Sequence, residues 1–187
     1  DSFFYASMTG LEAGLVIVSA DDPEMHSSQN EQDNRRYAKF ARVPCLEPSD
    51  SQEAKELVGV GLEISERFDT PVLLRLTTRL SHTDTLVELG ERTTYPPKVD
   101  TYPRNPAKYV MVPANARNRH PVIEERIARL AQFAETFPAN RIEWRQRDLG
   151  IVTCGIAYQY AREVFPEASV LRLGMTYPLP GPLVLDF

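Results

Sequence analysis

Short apolar runs alternate with helical patterns along the chain, and this alternation predicts an α/β fold. Residues 15–20 (LVIVSA) form an apolar run rich in β-branched residues, which is typical of a buried parallel strand. A helix is predicted from about Asp50 to Phe68, because Ser49 or Asp50 starts a capping box and apolar side chains then recur at helical spacing. Residues 72–80 (VLLRLTTRL) predict the next strand. Strand, helix and strand in this order indicate a parallel sheet covered by helices.

A second pattern of this kind follows a proline-rich stretch. Residues 90–120 contain too many prolines for a helix, so they predict an irregular linker. After His120 and Pro121, apolar positions at three- and four-residue steps predict an amphipathic helix with Arg126 on its outer face. Residues 149–154, 155–164 and 168–173 then predict strand, helix and strand. The predicted segments are a partial α/β domain at 1–89, a linker with an amphipathic helix at 90–147 and the start of a second α/β domain at 148–187.

Composition narrows the class of protein. The chain has 187 residues, of which 42% are apolar and 25% charged, with a net charge of −5, so neither disorder nor a basic nucleic-acid-binding body is predicted. No run reaches the roughly 18 apolar residues of a membrane span, and no signal peptide is recognisable, so we expect a cytoplasmic chain. Two cysteines are too few for a disulfide framework or an iron-sulfur ligand set. Because Asp1 lies close to a core strand, we expect a fragment of a longer protein.

Common catalytic motifs are absent from the sequence. Residues 59–64 (GVGLEI) lie inside a predicted helix and therefore indicate helix packing, not a dinucleotide-binding loop. P-loop, H-E-x-x-H and G-x-S-x-G motifs do not occur, and the three histidines have no metal-ligand spacing, so no metal site is predicted. Cys45 and Cys154 are expected to be small buried residues and not nucleophiles.

The most unusual segment is the polar stretch that follows the first strand. Residues 21–34 place many hydrogen-bonding side chains where ligands bind in open parallel sheets, at the carboxyl end of a strand. A solvated surface loop is an equally good interpretation of this composition. Arg75 and Arg79 are candidates for the same crevice, although arginines near strand ends more often pair with carboxylates.

Long segments of the chain resemble one enzyme family. They are ADDPEMHSSQNEQDNRRYAKFARVPCLEPSD at 20–50, PVLLRLTTRLSH at 71–82, KYVMVPANARNRHP at 108–121, and LGIVTCGIAYQYAREV and LRLGMTYPLP within 149–180. These segments are similar to the thiamine-diphosphate-dependent 2-oxoacid:ferredoxin oxidoreductases, and within them to those that act on indolepyruvate. The closing residues, 181–187 (GPLVLDF), carry the resemblance least well.

The resemblance implies a fold and a reaction. The implied fold is the latter half of a thiamine-enzyme pyrimidine-binding domain with a parallel sheet, followed by the start of a transketolase C-terminal-like α/β domain. The implied reaction is oxidative decarboxylation of indolepyruvate to its acyl-CoA, with ferredoxin as electron acceptor. Pyruvate, 2-oxoglutarate or branched 2-oxoacids are alternative substrates, and a non-catalytic interaction module is the alternative outside this family.

The resemblance also implies cofactors and partners. The intact enzyme would contain thiamine diphosphate, magnesium and iron-sulfur clusters, but the family's pyrimidine-binding glutamate and its GDG…N motif are not found in this sequence. We therefore expect this segment alone to be inactive and to bind none of them. The implied partners are a second oxidoreductase subunit, ferredoxin, coenzyme A and the 2-oxoacid in an oligomer, without nucleic acid or membrane.

The site residues implied by the resemblance lie in the polar stretch, which lines the pocket in the family. We expect contacts to cofactor or substrate from His26, Ser28, Gln29, Asn30 and Glu31. None of these is assigned as acid or base. Asp21 and Asp22 are expected to brace the loop by accepting backbone N–H bonds.

Overall fold

The computed structural model describes residues 1–92, 94 and 104–187. In these residues, the strands form two sheets. The strands are β1 (Val16–Asp21), β2 (Cys45–Leu46), β3 (Val72–Thr77), β4 (Arg141–Glu143), β5 (Gln146–Cys154), β6 (Ala168–Leu173) and β7 (Met175–Tyr177). The helices are α1 (Ser2–Thr9), α2 (Arg35–Ala41), α3 (Ser51–Phe68), α4 (Thr78–Ser81), α5 (Pro106–Tyr109), α6 (Pro113–Glu135), α7 (Ala157–Val164) and α8 (Gly181–Asp186).

The first sheet has the strand order β1-β3-β2-β7. Strands β1 and β3 are parallel neighbours over their whole length, with Val16 opposite Val72 and Asp21 opposite Thr77. Strand β2 is parallel to β3, whereas β7 is antiparallel to β2. The predicted parallel pairing of the first two long strands is therefore confirmed.

The second sheet has the order β4-β6-β5, with β5 and β6 parallel and β4 antiparallel to β6. The prediction that the later strands belong to a different sheet is therefore confirmed. Strand β7, however, returns from this part of the chain to the first sheet. Because residues 148–187 contribute to both sheets, the division into 1–89, 90–147 and 148–187 stays a prediction.

Two apolar clusters cover the two faces of the first sheet, as expected of an α/β fold. One joins α3 and α6 to the sheet, and its fully buried members include Leu130, Val72 and Met175. The other joins α1 and α2 to the opposite face, around Cys45 and Leu73. Each of these helices therefore gains its stability mainly by burying one apolar side against the sheet.

Helix α3 begins as the sequence predicts. The Asp50 carboxylate accepts a hydrogen bond from the backbone N–H of Glu53 at 2.9 Å, so Asp50 is the N-terminal cap. In return, the Glu53 carboxylate accepts from the backbone N–H of Ser49 at 2.9 Å. Gly59 and Gly61 both lie inside this helix, which confirms that residues 59–64 are not a dinucleotide-binding loop.

Two predicted element boundaries are wrong. The strand expected at 72–80 ends at Thr77, and α4 begins at the next residue, so Arg79 lies on a helical turn. The helix expected after Pro121 begins at Pro113, because proline is well tolerated in the first turn, and Pro121 lies inside it. Arg119 bonds the carbonyls of Met8 and Thr9 and so anchors this early part of α6. Pro96, Pro97 and Pro103 of the predicted linker lie outside the described residues.

Arg126 was expected on the outer face of α6, but it is 3% exposed. Its guanidinium donates to the backbone carbonyls of Asp69 and Ser7, both at 2.7 Å. Burial lowers the pKa of Arg126 to about 10, so the side chain is still charged at neutral pH. The residue therefore ties α6 to α1 and to the C-terminal end of α3 through carbonyl groups.

Strand β1 lies at the edge of the first sheet, and among the described residues it pairs only with β3. Val18 in this strand is 57% exposed, so the strand is less buried than its apolar sequence predicts. An open edge with exposed apolar side chains favours self-association, which stays a prediction. None of the helices in the described part of the chain combines the length and apolar character needed to cross a bilayer.

The two glycines of α3 provide a matched test of the packing between helix and sheet. An added Cβ at Gly59 would meet nothing within 4 Å, whereas one at Gly61 would lie 2.9 Å from a methyl group of Val16. We expect Gly59→Ala to raise the free energy of unfolding by about 0.5–1 kcal/mol through helix propensity. Gly61→Ala should lower the free energy of unfolding by about 1 kcal/mol. The added methyl group gains the same helix propensity, but its overpacking against Val16 costs about 1–3 kcal/mol.

Urea denaturation of the purified chain, followed by circular dichroism, measures both changes. Equal stabilisation by the two substitutions would contradict the close approach of α3 to β1.

Candidate functional site

A loop of residues 22–34 connects β1 to α2 and is organised around the Asp22 carboxylate; we refer to it as the β1 loop. This carboxylate accepts hydrogen bonds from the backbone N–H groups of Ser27 and Ser28, each at 2.7 Å, and of His26 at 3.2 Å. It also accepts a bond of 2.6 Å from the hydroxyl of Thr78, the first residue of α4, directly after β3. Asp22 therefore clamps the start of the loop to the first residue of α4, directly after the neighbouring strand, and its expected bracing role is confirmed.

The clamp acts on a strained turn. Glu24 and Met25 have φ values of 66° and 55°, a left-handed conformation that is unfavourable for residues other than glycine. The bonds to Asp22 compensate for this strain. The hydroxyl of Thr78, followed by the backbone of Ser27 and Ser28, holds the pKa of the Asp22 carboxyl well below its usual range. The clamp is therefore fully ionised at neutral pH.

Asp21 braces the other end of the β1 loop. Its Oδ2 accepts from the backbone N–H of Asn34 at 2.7 Å and from Nε of Arg75 at 2.6 Å. The Arg75 guanidinium also bonds Oε2 of Glu47 at 2.8 Å. All three side chains are buried, so Arg75 pairs with carboxylates, which is the commoner of the two roles considered from the sequence.

These residues form part of a larger, partly buried network, the Arg75 cluster, which consists of Arg75, Asp21, Glu47, Asp33 and Arg35. Arg35 bonds Asp33 in a bidentate pair at 2.7 and 3.0 Å, and Asp33 lies 3.9 Å from Arg75. Burial acts to lower the pKa of Arg75, but Glu47 and Asp21 outweigh it and the pKa is raised. The bond from Arg35 lowers the pKa of Asp33. Arg75, Arg35 and Asp33 are therefore ionised at neutral pH.

The β1 loop forms one wall of a cleft of about 490 Å³, which we call the β3 cleft. The second wall comes from the end of β3 and the start of α4, and the third from the region of α7. Its lining residues are Pro23, Glu24, His26, Thr77, Thr78, Arg79, Ile156 and Tyr160. Of the site residues expected from the sequence, His26 lines this cleft. The Nε2 of His26 lies 4.0 Å from the Glu24 carboxylate.

The remaining expected site residues are not brought together with His26. Asn30 and Glu31 line a separate cleft of about 660 Å³ beside α2. Glu31 accepts the backbone N–H of Glu24 at 2.8 Å, and Ser28 accepts from the side chain of Gln32 at 3.2 Å, so both also stabilise the loop itself. Gln29 is exposed and lines neither cleft. The expected site is thus divided between two surfaces of one loop.

Several cleft residues were not expected from the sequence. The sequence pattern places Thr77 and Thr78 in a strand interior, and Ile156 and Tyr160 lie about two thirds of the chain length beyond the β1 loop. The hydroxyl of Thr77 is buried and has no hydrogen-bond partner in the described part of the chain. Two adjacent threonines at the end of an apolar strand were the available signal, because polar side chains there face the ligand side of a parallel sheet.

Both cysteine thiols are protonated at neutral pH. Burial raises the pKa of the Cys45 thiol to about 12 and the pKa of the Cys154 thiol to about 11. Since a thiol must lose its proton to act as a nucleophile, neither has the properties of a catalytic cysteine. Cys154 lies beside the Arg75 cluster, 3.8 Å from Glu47 and 4.0 Å from Arg35.

No group of three or more His, Cys, Asp or Glu side chains is placed to hold a metal ion within residues 1–92 and 104–187. Each carboxylate of the Arg75 cluster is already paired with Arg75 or Arg35, so the cluster presents no unpaired carboxylate to a cation. The donor set of the described residues therefore does not fit a magnesium-diphosphate site.

A comparison with solved structures finds a similar fold in part of an oxidoreductase chain. The chain superposes over its whole length on 41% of a chain of the 2-oxoglutarate:ferredoxin oxidoreductase from Magnetococcus marinus, with a TM-score of 0.62 and 14% sequence identity. At this identity the likeness establishes the α/β fold. A scan against protein-family models finds no match to the chain.

Comparison with curated proteins finds much closer relatives. The whole chain is 46% identical to indolepyruvate oxidoreductase subunit IorA from Methanothermobacter marburgensis and 38% identical to the subunit of that name from Archaeoglobus fulgidus. It spans about 31% of the length of these relatives. The resemblance found in the sequence is thus confirmed, and the chain is homologous over its full length to one segment of indolepyruvate oxidoreductase subunit IorA.

Proposed function

We propose that the chain is a segment of the subunit that binds the 2-oxoacid in a ferredoxin-dependent indolepyruvate oxidoreductase. The reaction converts an aryl 2-oxoacid and coenzyme A to the aryl acyl-CoA and carbon dioxide, and two electrons pass to ferredoxin. The observation that carries this proposal is the identity of 38–46% along the whole chain to proteins named indolepyruvate oxidoreductase subunit IorA. The structural neighbour holds 2-oxoglutarate, coenzyme A and succinyl-CoA, which supports the same reaction class.

The β3 cleft is the surface on which we propose that this segment contributes to the reaction. It lies at the carboxyl ends of two parallel strands, where α/β proteins bind their ligands. Its volume of about 490 Å³ is in the usual range for small-molecule sites, about 300–1,000 Å³. The clamp on Asp22 fixes the wall that carries His26, so the cleft is preorganised and not formed by the ligand.

The cofactors proposed for the intact enzyme are thiamine diphosphate, magnesium and iron-sulfur clusters. Thiamine diphosphate, when bound, supplies the nucleophile and the electron sink for decarboxylation. The described residues do not fit the metal and diphosphate, so we propose that other parts of the assembly hold them. His26, Ser28, Gln29, Asn30 and Glu31 remain the proposed contacts of this segment to cofactor or substrate. The proposed partners are a second subunit and ferredoxin, in the cytoplasm.

The substrate assignment is tested on the intact subunit assembled with its partner. We expect kcat/KM for indolepyruvate and phenylpyruvate to exceed that for pyruvate or 2-oxoglutarate by about tenfold or more, which corresponds to about 1.4 kcal/mol of transition-state stabilisation. Reduction of ferredoxin in the presence of coenzyme A is the measurement. A higher kcat/KM for an aliphatic 2-oxoacid would contradict the assignment to aryl substrates and support the alternative substrates, pyruvate, 2-oxoglutarate or branched 2-oxoacids.

The isolated chain gives a second, independent measurement. Because its described residues do not fit the metal-diphosphate site, calorimetric titration with thiamine diphosphate and magnesium should show weak binding or none. Tight, magnesium-dependent binding at micromolar concentration would contradict the placement of that site elsewhere.

The role of the β1 loop is tested by truncating its side chains in the intact enzyme. We expect His26→Ala to lower kcat/KM for indolepyruvate by about tenfold or more, because its imidazole lines the β3 cleft. Gln29→Ala tests whether the exposed tip of the loop also contacts ligand. Gln132→Ala, at an exposed position of α6, is the control and should leave turnover unchanged. Full activity of both loop variants would identify the loop as a solvated surface.

The clamp is tested at Thr78. Thr78→Val removes the hydroxyl that bonds Asp22 but keeps a β-branched side chain, whereas Thr78→Ser keeps the hydroxyl. We expect Val to lower kcat/KM by about tenfold and Ser by less than about threefold, because a loosened loop no longer holds His26 in the cleft. Hydrogen exchange at Ser27 and Ser28 should rise in the Val variant alone. Equal activity of the two variants would contradict the clamp.

The pH dependence of the clamp follows from the lowered pKa of Asp22. A depressed folded-state pKa stabilises the structure above the unfolded carboxyl pKa of about 3.9, and this contribution is lost as the pH falls through the still lower folded value. Loop protection against hydrogen exchange should therefore be constant between about pH 5 and 8 and decrease only in strong acid. Loss of protection near neutral pH would show that another group controls the loop.

A further inference from the structure

Arg79 differs from the other arginines near the β1 loop. Arg75 and Arg35 are bound by carboxylates within the Arg75 cluster. Arg79, on the helical turn that follows β3, has no ion-pair or hydrogen-bond partner among the described residues and is exposed, yet it lines the β3 cleft. Arg79 is thus the arginine of that cleft whose guanidinium is not paired with a carboxylate of the described residues.

We propose that Arg79 binds the carboxylate of the 2-oxoacid in the β3 cleft. This inference rests on the proposed function and assigns the residue that recognises the charged end of the substrate. A guanidinium presents two parallel N–H donors that match the two oxygens of a carboxylate. With no protein carboxylate bound to Arg79 among the described residues, a ligand does not have to displace an existing ion pair.

The rest of the cleft fits the remainder of such a substrate. The buried Thr77 hydroxyl, which has no partner in the described part of the chain, offers a hydrogen bond to the keto oxygen or the carboxylate. Ile156 and Tyr160 contribute apolar and aromatic surface to the same cleft, which suits an aryl group. One cation, one unsatisfied hydroxyl and an aromatic wall are the complementary features of an aryl 2-oxoacid.

The other charged groups of the cleft do not take this role. Glu24 repels a carboxylate, and its side chain is 82% exposed, so it points largely to solvent. The imidazole of His26 lies 4.0 Å from the Glu24 carboxylate, so a carboxylate of the protein already faces it. Thr78 is engaged by Asp22. Of the groups that line the cleft, Arg79 therefore forms the most favourable interaction with a substrate carboxylate.

The test uses the intact enzyme and the variants Arg79→Gln and Arg79→Lys. We expect Arg79→Gln to raise KM for indolepyruvate by about tenfold or more, with kcat changed by less than about threefold and KM for coenzyme A unchanged. Arg79→Lys should recover part of the loss, because it restores the charge but not the bidentate geometry. Arg117→Gln, an exposed arginine on α6, is the matched control, and thermal unfolding checks that each variant folds.

Direct binding separates this inference from the proposed reaction. Indole-3-propionate carries the carboxylate, and indole-3-propionamide is its neutral analogue. By calorimetry, the unaltered enzyme should bind the acid about tenfold more tightly than the amide, and Arg79→Gln should abolish that difference. This measurement needs no turnover, so it gives a result even if the enzyme acts on no 2-oxoacid.

Three outcomes would overturn the assignment of Arg79. The first is an unchanged KM for the 2-oxoacid in Arg79→Gln. The second is an increase in KM for coenzyme A alone, which would identify a phosphate as the bound anion. The third is a tighter binding of the acid than of the amide that is absent from the unaltered enzyme or is still present in Arg79→Gln. A different result is also informative. If the intact enzyme turns over none of the 2-oxoacids, but binds the acid more tightly than the amide and loses this difference in Arg79→Gln, the proposed function is rejected and the anion site is kept.

Discussion

The buried guanidinium of Arg75 is the interaction on which the geometry of the site depends. It lies in the middle of the first sheet and bonds Asp21 at 2.6 Å and Glu47 at 2.8 Å. A buried cation is tolerated only when opposite charges and hydrogen-bond acceptors surround it. Here Arg75 of β3 is paired with Asp21 at the end of β1 and with Glu47, the residue after β2. Glu47 in turn accepts the Thr176 hydroxyl of β7 at 2.7 Å. All four strands of this sheet are thus connected through Arg75 and Glu47.

The positions of Asp21 and Asp22 follow from this arrangement. Successive side chains at the end of a strand point in opposite directions, so two adjacent aspartates serve two different neighbourhoods. Asp21 bonds Arg75 and the backbone of Asn34, where the β1 loop ends, and Asp22 binds the backbone where the loop begins. A loop of polar residues, which has no apolar core of its own, is thereby fixed at both ends by carboxylates. Its strained turn at Glu24 and Met25 persists because of these bonds.

The features that the sequence predicted well are those encoded locally. Apolar runs located β1, β3, β5 and β6, the cap at Asp50 located the start of α3, and acidic residues beside a polar loop indicated the bracing role. The errors concern partners that are distant in the sequence. Arg126 is buried because it meets carbonyl groups of Ser7 and Asp69, and no pattern within α6 reveals them. Likewise, the third wall of the β3 cleft comes from residues near 156–160, so local reasoning could identify the loop but not the cleft.

The contacts that join the two sheets also determine what the cleft can recognise. Glu53 of α3 pairs with Arg172 of β6, and Cys154 at the end of β5 lies against Glu47. The chain leaves β5 at Cys154 and passes Ile156 on its way into α7, so these contacts fix the apolar wall relative to Thr77 and Arg79 on the first sheet. The distance between the polar and apolar surfaces of the β3 cleft is therefore set by the fold and not by the side chains that line it. If the β3 cleft holds the 2-oxoacid, as we propose, its selectivity for length and shape follows from how the two sheets are held together.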